Sequence, residues 1–231
     1  MRALLITTLM SLATAETFSG LASPSDSSDA FNGNCGLMDV IPAFKSLYVS
    51  LNLELYAQGI NCGRCIEVQC TDERCQKQPK LVAQVANSTP GARGDVSLSN
   101  SLFNAVTGST NGKYSVSWQF VDCPVAGGVK VCTKTGSNQW WLAVQPTNTV
   151  DGVESMTING KVASLGNGVN NYYFRADPTP DTPLERTRIT MTSYKGETIS
   201  TTVSLVANKC IQTNVQFTKP APVTPTPTTA P

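Results

Sequence analysis

Residues 62–75 read C-G-R-C-I-E-V-Q-C-T-D-E-R-C, which places four of the chain's eight cysteines within one short stretch. Ile66 and Val68 alternate with Glu67 and Gln69, the period of a strand. A strand cross-linked near both ends is a scaffold element. Two other chemistries use similar spacings. C-x-x-C with further cysteines nearby can hold zinc or an iron–sulfur cluster. A lone C-x-x-C can act as a redox pair when a neighbouring cation activates a thiol. Arg64 is the only cation placed for that, and the strand–helix setting of a redox motif is missing. The sequence contains no histidine, which weakens the metal reading. An even cysteine count behind an export signal favours disulfides.

That export signal is read at residues 1–15. Met1-Arg2 is a minimal basic start, Ala3 to Leu12 is apolar, and Ala13-Thr14-Ala15 fits the small-x-small rule for cleavage before Glu16. The apolar run is too short to span a membrane. The expectation is a secreted, extracellular protein with no membrane partner. Removing Arg2 from the seventeen Lys and Arg leaves sixteen against sixteen Asp and Glu. A chain so balanced has no charge attraction for nucleic acid and suits a neutral partner.

From Phe18 to Pro124 the pattern is one of short strands and glycine turns. Leu47–Leu51, Ile66–Val68, Leu81–Val85 and Tyr114–Val121 read as strands, with Tyr114, Val116, Trp118 and Phe120 on one face. Leu53–Tyr56 fits a short helix or a strand equally. Asn100–Val106 is a helical turn or two, capped by Ser99 or Asn100. This half suggests a small barrel, with Trp118 in its core. Pro124–Gly128 reads as a short hinge. Beyond it, seven or eight short strands suggest a β-sandwich with no helix. Asn159-Gly160 and Lys195-Gly196 mark two hairpins. The Pro- and Thr-rich residues 218–231 cannot build a core and read as a mucin-like tail.

Taken together, the two halves resemble the expansin family over nearly the whole mature chain. The marks in the first half are Cys35-Gly36, the C-G-x-C strand, the G-A-R-G turn at 91–94 before the S-L-F segment, and the Trp118 strand ending in Cys123. Those in the second are Trp140-Trp141 followed by L-A-V-Q, and the closing V-Q-F at 215–217. The resemblance implies an all-β fold: a six-stranded double-psi β-barrel, related to family 45 glycoside hydrolases, followed by an immunoglobulin-like β-sandwich. The expected divisions are a barrel over 16–124, a linker over 125–128 and a carbohydrate-binding sandwich over 129–217. It implies disulfides joining Cys35 to Cys62, Cys65 to Cys123 and Cys70 to Cys75, which leaves Cys132 for Cys210. It also implies a monomer, without cofactor or metal, that binds cellulose, xyloglucan or another β-glucan of a plant-type cell wall and loosens its contacts without hydrolysis.

For the sandwich the resemblance implies stacking platforms at Trp140 and Trp141 and a third aromatic placed at Tyr172. A sugar ring stacks its apolar face on a flat side chain, while its hydroxyls need polar partners. Neighbours on a regular strand point to opposite faces, so a bulge or edge is needed to aim both tryptophans. Gln139 and Lys161 are rim candidates. In the barrel groove the chain departs from the family. An ungapped match puts Ser97 where the family carries an aspartate resembling the general acid of the related hydrolases. Asp95 lies two residues earlier, roughly 6–7 Å along a strand. Asn87 replaces a second aspartate and begins the chain's only N-glycosylation sequon, Asn87-Ser88-Thr89. Ser23 corresponds to an early threonine. Hydrolysis normally takes two carboxyl groups flanking the bond; Asp39, Glu54, Glu67 and Asp122 have no motif support as a partner for Asp95. Phe31, Phe44 and Tyr48 are further aromatics of this half, readable as groove lining or as packing. Two other readings keep the scaffold: a carbohydrate-binding or defence-signalling protein without loosening activity, and a weak endoglucanase working through Asp95.

Overall fold

Six strands of the first half close into a barrel: β1 (Thr17–Pro24), β2 (Tyr48–Asn52), β3 (Cys65–Cys70), β4 (Leu81–Thr89), β5 (Val96–Leu98) and β6 (Tyr114–Val121). The computed structural model describes residues 16–25, 29–166, 171–177 and 183–218; the proposed leader and residues 219–231 of the tail lie outside them. The order around the barrel is β1-β5-β2-β4-β3-β6. The β1–β5 and β2–β4 pairs are parallel and the rest antiparallel. Alternation decides the faces: Ile66 and Val68 of β3 are fully buried, while Gln69 is exposed. Trp118 is core, stacked on Phe18 at 4.4 Å, and its Nε1 donates to the Gly94 carbonyl at 2.8 Å. Gly94 has a φ of 95°, and a Cβ there would lie 2.2 Å from the Ser19 carbonyl oxygen, so this turn admits only glycine.

Leu53–Tyr56 is helical (α1), which periodicity over four residues left open. The second helix, α2 (Asn100–Thr107), is capped by Ser99, whose hydroxyl accepts from the Leu102 N–H at 3.3 Å. It buries Leu102, Phe103 and Val106 against the barrel. The disulfides join Cys35 to Cys62, Cys65 to Cys123, Cys70 to Cys75 and Cys132 to Cys210, the four pairs that the resemblance implies. Cys62 and Cys65 therefore bond to different partners, and neither a redox pair nor a metal-binding thiolate cluster is formed by the C-x-x-C segment.

The second half holds β7 (Lys130–Thr133), β8 (Ala143–Thr147), β9 (Ser155–Ile158), β10 (Lys161–Ser164), β11 (Phe174–Ala176), β12 (Thr187–Thr192), β13 (Thr198–Val203) and β14 (Cys210–Gln212). They form one continuous antiparallel sheet, in the order β13-β12-β9-β10-β11-β8-β7-β14. Ile189 and Val203 from one end share a core with Val131 and Val144 from the other. The sheet thus curls over on itself like an immunoglobulin-type sandwich. Asn159 and Gly160, both at positive φ, make the β9–β10 hairpin turn.

The segment read as a hinge is pinned. Asn148 Nδ2 donates to the carbonyls of Ala126 and Gly128 at 2.8 Å each, and Val125 and Val129 are buried. The cores of the two halves merge into one cluster. Across the junction the Arg64 guanidinium lies 3.7 Å from the ring centres of both Phe120 and Tyr194. Tyr194 donates its hydroxyl to the Ile60 carbonyl at 2.8 Å.

Candidate functional site

The tryptophan pair sits in a tight turn between β7 and β8, not on a strand. Asn138 and Trp141 exchange backbone hydrogen bonds at 2.8 and 3.2 Å, which leaves Gln139 and Trp140 as the two loop residues. Asn138 Oδ1 accepts from the N–H groups of Trp140 and Trp141 at 2.9 and 3.0 Å, so its side chain locks the turn. The alternation rule for strands does not apply there, and neither tryptophan is forced into the core. Trp140 is 71% exposed. Trp141 is half-buried, packed against Ala143 and Tyr173. Arg175 lies 5.9 Å over the Trp141 ring, and Lys134 lies 4.6 Å from the centre of the Tyr173 ring. Neither cation was singled out from the sequence, where nothing separates them from other surface charges.

Tyr172 is not a platform. It is 1% exposed and packs edge-on against Phe174 at 5.7 Å. Burial pushes its phenol far above the ordinary value of 10.0. Residues two apart on an extended chain share a side, so Tyr172 follows Phe174 into the core while Tyr173 turns towards Trp141. Tyr173 is itself only 4% exposed, so neither tyrosine presents an open ring face. Lys161 also lies apart from the face. It is three residues from Ser164, the partner of Arg175, hence on the other side of β10 and about 10 Å along it. Gln139 is in the turn itself.

The barrel contributes a polar row. Ser97 lies between Val96 and Leu98, which point inward, and so faces out. Strand register sets Ser23 of β1 and Ser50 of β2 on either side of it, and Asn87 of β4 beside Ser50. A bulge in β4 makes Asn87, rather than Ala86, the partner of Ser50. Ser50 is only 1% exposed, so it backs the row from within β2 and is not presented to solvent; its signal in the sequence is one hydroxyl in an apolar strand. The Ser97 hydroxyl lies 3.2 Å from that of Ser23 and 3.1 Å from that of Thr89. Ser23, Thr89, Asp95, Ser97 and Lys113 line a cleft of about 90 Å³. Ligand-enclosing pockets run to about 300–1,000 Å³, so this cleft is too small to enclose a small-molecule ligand.

Asp95 is committed elsewhere. Its Oδ1 accepts from the Leu21 N–H at 2.8 Å and its Oδ2 from the Ala92 N–H at 3.0 Å. The carboxylate fastens β1 to the turn at 91–95. The other carboxylates considered are paired outside the cleft: Asp39 with Lys130, Glu54 with Arg93, Glu67 with Lys80 and Asp122 with Lys195. Asn87 Oδ1 accepts from the Asn34 N–H at 2.7 Å. Phe44 and Tyr48 are buried packing residues, and Phe31 is exposed.

One loop connects row and turn. Asn34 binds Asn87 and Ser88, and four residues on, the Met38 N–H donates to Gln145 Oε1 at 2.7 Å while its side chain packs on the Ala143–Tyr173 cluster against which Trp141 also rests.

Comparison with known proteins places this architecture. The Barwin family matches residues 53–123. Expansin-YoaJ of Bacillus subtilis is 28% identical over 122 residues, 51% of this chain and 50% of that protein, so the match spans half of that relative's length. Expansin-like protein 1 of Dictyostelium discoideum is 28% identical over 93% of this chain and 79% of its own. Among solved structures, the apo expansin of Clavibacter michiganensis superposes with a TM-score of 0.74 at 21% identity, over 88% of this chain and 99% of that one. A variant of the Clavibacter expansin in complex with cellohexaose superposes at 0.70, with 22% identity and the same coverage.

Proposed function

The chain belongs to the expansin family, and on that premise we propose that it is a secreted, wall-associated protein that binds cellulose or a related β-glucan and loosens its contacts without hydrolysing it. The observation that carries this reading is the locked turn that holds Trp140 in solvent beside the half-buried Trp141. Indole faces carried on a fixed backbone turn offer large contact area to a sugar ring. The part-exposed Ser23, Ser97, Thr89 and Asn87 supply hydroxyl and amide partners for a sugar chain lying across the barrel. Hydrolysis would need a second carboxyl group within roughly 5–9.5 Å of the first across the scissile bond. Asp95 is the only carboxylate among the residues lining the cleft, and backbone N–H groups hold both of its oxygens. A ligand-binding protein without loosening activity would share the aromatic face, so the test must read movement as well as binding.

That test is an extension assay on isolated, heat-inactivated cell wall under load, with reducing sugar measured in the same bath. The expected result is wall extension with no release of sugar above the buffer control. Binding without extension would leave a carbohydrate-binding protein only. Steady sugar release lost in Asp95→Asn would restore Asp95 as a general acid.

A further inference from the structure

Two aromatic side chains are the most exposed among the described residues: Trp140, and Phe31 at 42%. A single exposed apolar residue is ordinary. What sets Phe31 apart is its frame. Asp29 Oδ1 accepts from the N–H groups of Phe31 and Asn32 at 2.8 and 3.0 Å, and Asn32 Nδ2 donates to Asp29 Oδ2 at 2.9 Å. Ala30 is fully buried. Gly33 presses against the bulge of β4 so closely that a Cβ would lie 2.1 Å from the Ala86 carbonyl oxygen and 2.9 Å from Asn87 Cβ. Asn34 is bonded to Asn87 and Ser88, and Cys35 is fixed by its disulfide to Cys62.

Two residues of chain span at most about 7 Å. The Phe31 Cα therefore lies within about 7 Å of that of Gly33, which packs against Asn87 at the end of the polar row Ser23–Ser97–Ser50–Asn87. The same loop then reaches Met38, which packs on the Ala143–Tyr173 cluster that also carries Trp141. We infer that Phe31 is an aromatic subsite that stacks on a sugar ring of the β-glucan where the polymer leaves the barrel row for the tryptophan turn. A phenyl ring has no hydrogen-bonding group, so the subsite takes the C–H face of an uncharged sugar and has nothing to offer a uronate. This inference rests on the polysaccharide-binding reading above.

The test is titration of the full chain with cellohexaose by calorimetry, for wild type, Phe31→Ala, Phe31→Gln, Phe31→Tyr and Trp140→Ala. Phe31→Ala and Phe31→Gln should each weaken binding about 5–10-fold, as expected for loss of an aromatic anchor. Phe31→Tyr, which keeps the flat face, should stay within about twofold of wild type. The inference is overturned if Phe31→Ala or Phe31→Gln binds like wild type while Trp140→Ala is weakened; the broader reading would then stand without this subsite. It is also overturned if Phe31→Tyr loses as much as Phe31→Ala, which would mark the ring as structural. Absence of wild-type binding, or unchanged binding in every variant, would sink the broader reading and this inference with it.

Discussion

Truncating Tyr172 and truncating Trp140 should damage different properties. Tyr172→Ala empties a buried site against Phe174, and large aromatic truncations in a core cost about 3–5 kcal/mol; denaturant unfolding should show a loss of that size. Trp140→Ala removes an exposed ring and should change stability by no more than about 0.5 kcal/mol. Asp95→Ala should cost about 0.5–1.5 kcal/mol, because it removes two solvent-accessible hydrogen bonds from backbone N–H groups. These residues also mark where sequence reading stops. Trp118 was legible as core because an eight-residue strand with clean alternation leaves it one place to point. Tyr172 was not: Asn171, at a φ of 71°, turns the chain just before it, and both Tyr172 and Tyr173 are buried on opposite sides of the chain, which alternation does not signal. The tryptophan turn was hidden for a similar reason. It depends on the Asn138 side chain capturing two N–H groups, a local bond that hydrophobic periodicity does not register.

At the scale of elements, a short staple offers a test by pH. Asp72 caps the 3₁₀ turn Glu73–Cys75 and accepts from the Arg74 backbone N–H at 3.1 Å. It also takes Arg74 Nε and Nη2 at 2.7 and 2.8 Å, while Arg74 Nη2 donates to the Lys113 carbonyl at the start of β6. The side-chain hydrogen bonds from Arg74 hold the Asp72 carboxyl well below its ordinary value of 3.8. A carboxyl lowered in the folded state contributes stability above its unfolded pKa, and that contribution is lost as pH falls through the folded one. The stability difference between wild type and Asp72→Asn, from denaturant titrations, should be constant near neutrality and shrink below about pH 4. A difference that grows on acidification would contradict this role. The element pattern itself was largely readable: the alternating strands, the Asn159-Gly160 hairpin and the Ser99 cap all have local signals. Strand β5 and the bulge of β4 have none, since three residues are too few for alternation to appear and an extra residue shows only in pairing. Those two features build the row that holds Ser97, Ser50 and Asn87 together.

Over the whole molecule the two halves should behave as one body. Arg64 is clamped between Phe120 and Tyr194, donates to Asn61 Oδ1 at 2.8 Å, and lies 3.9 Å from the largely buried Asp151. Burial, the larger influence, raises the Asp151 carboxyl above its ordinary value and lowers the Arg64 guanidinium below its own, while their mutual attraction opposes both shifts. Arg64→Ala should cost about 3 kcal/mol or more, because it leaves Asp151 buried without its partner. Wild type should melt in one calorimetric transition, and separate melting of barrel and sandwich in wild type would refute the single core. A rigid junction also fixes how the polar row and the tryptophan turn face a polymer, which is the basis of the proposed function. The most direct measurement is a pull-down isotherm on crystalline cellulose for the full chain and for the Trp140→Ala/Trp141→Ala double variant, both shown to be folded. Affinity should fall by at least about tenfold in the double variant and should survive moderate salt in wild type, since screening weakens charge attraction and not ring stacking. A folded double variant that binds undiminished would contradict the account, and the tryptophan turn would not be the anchor.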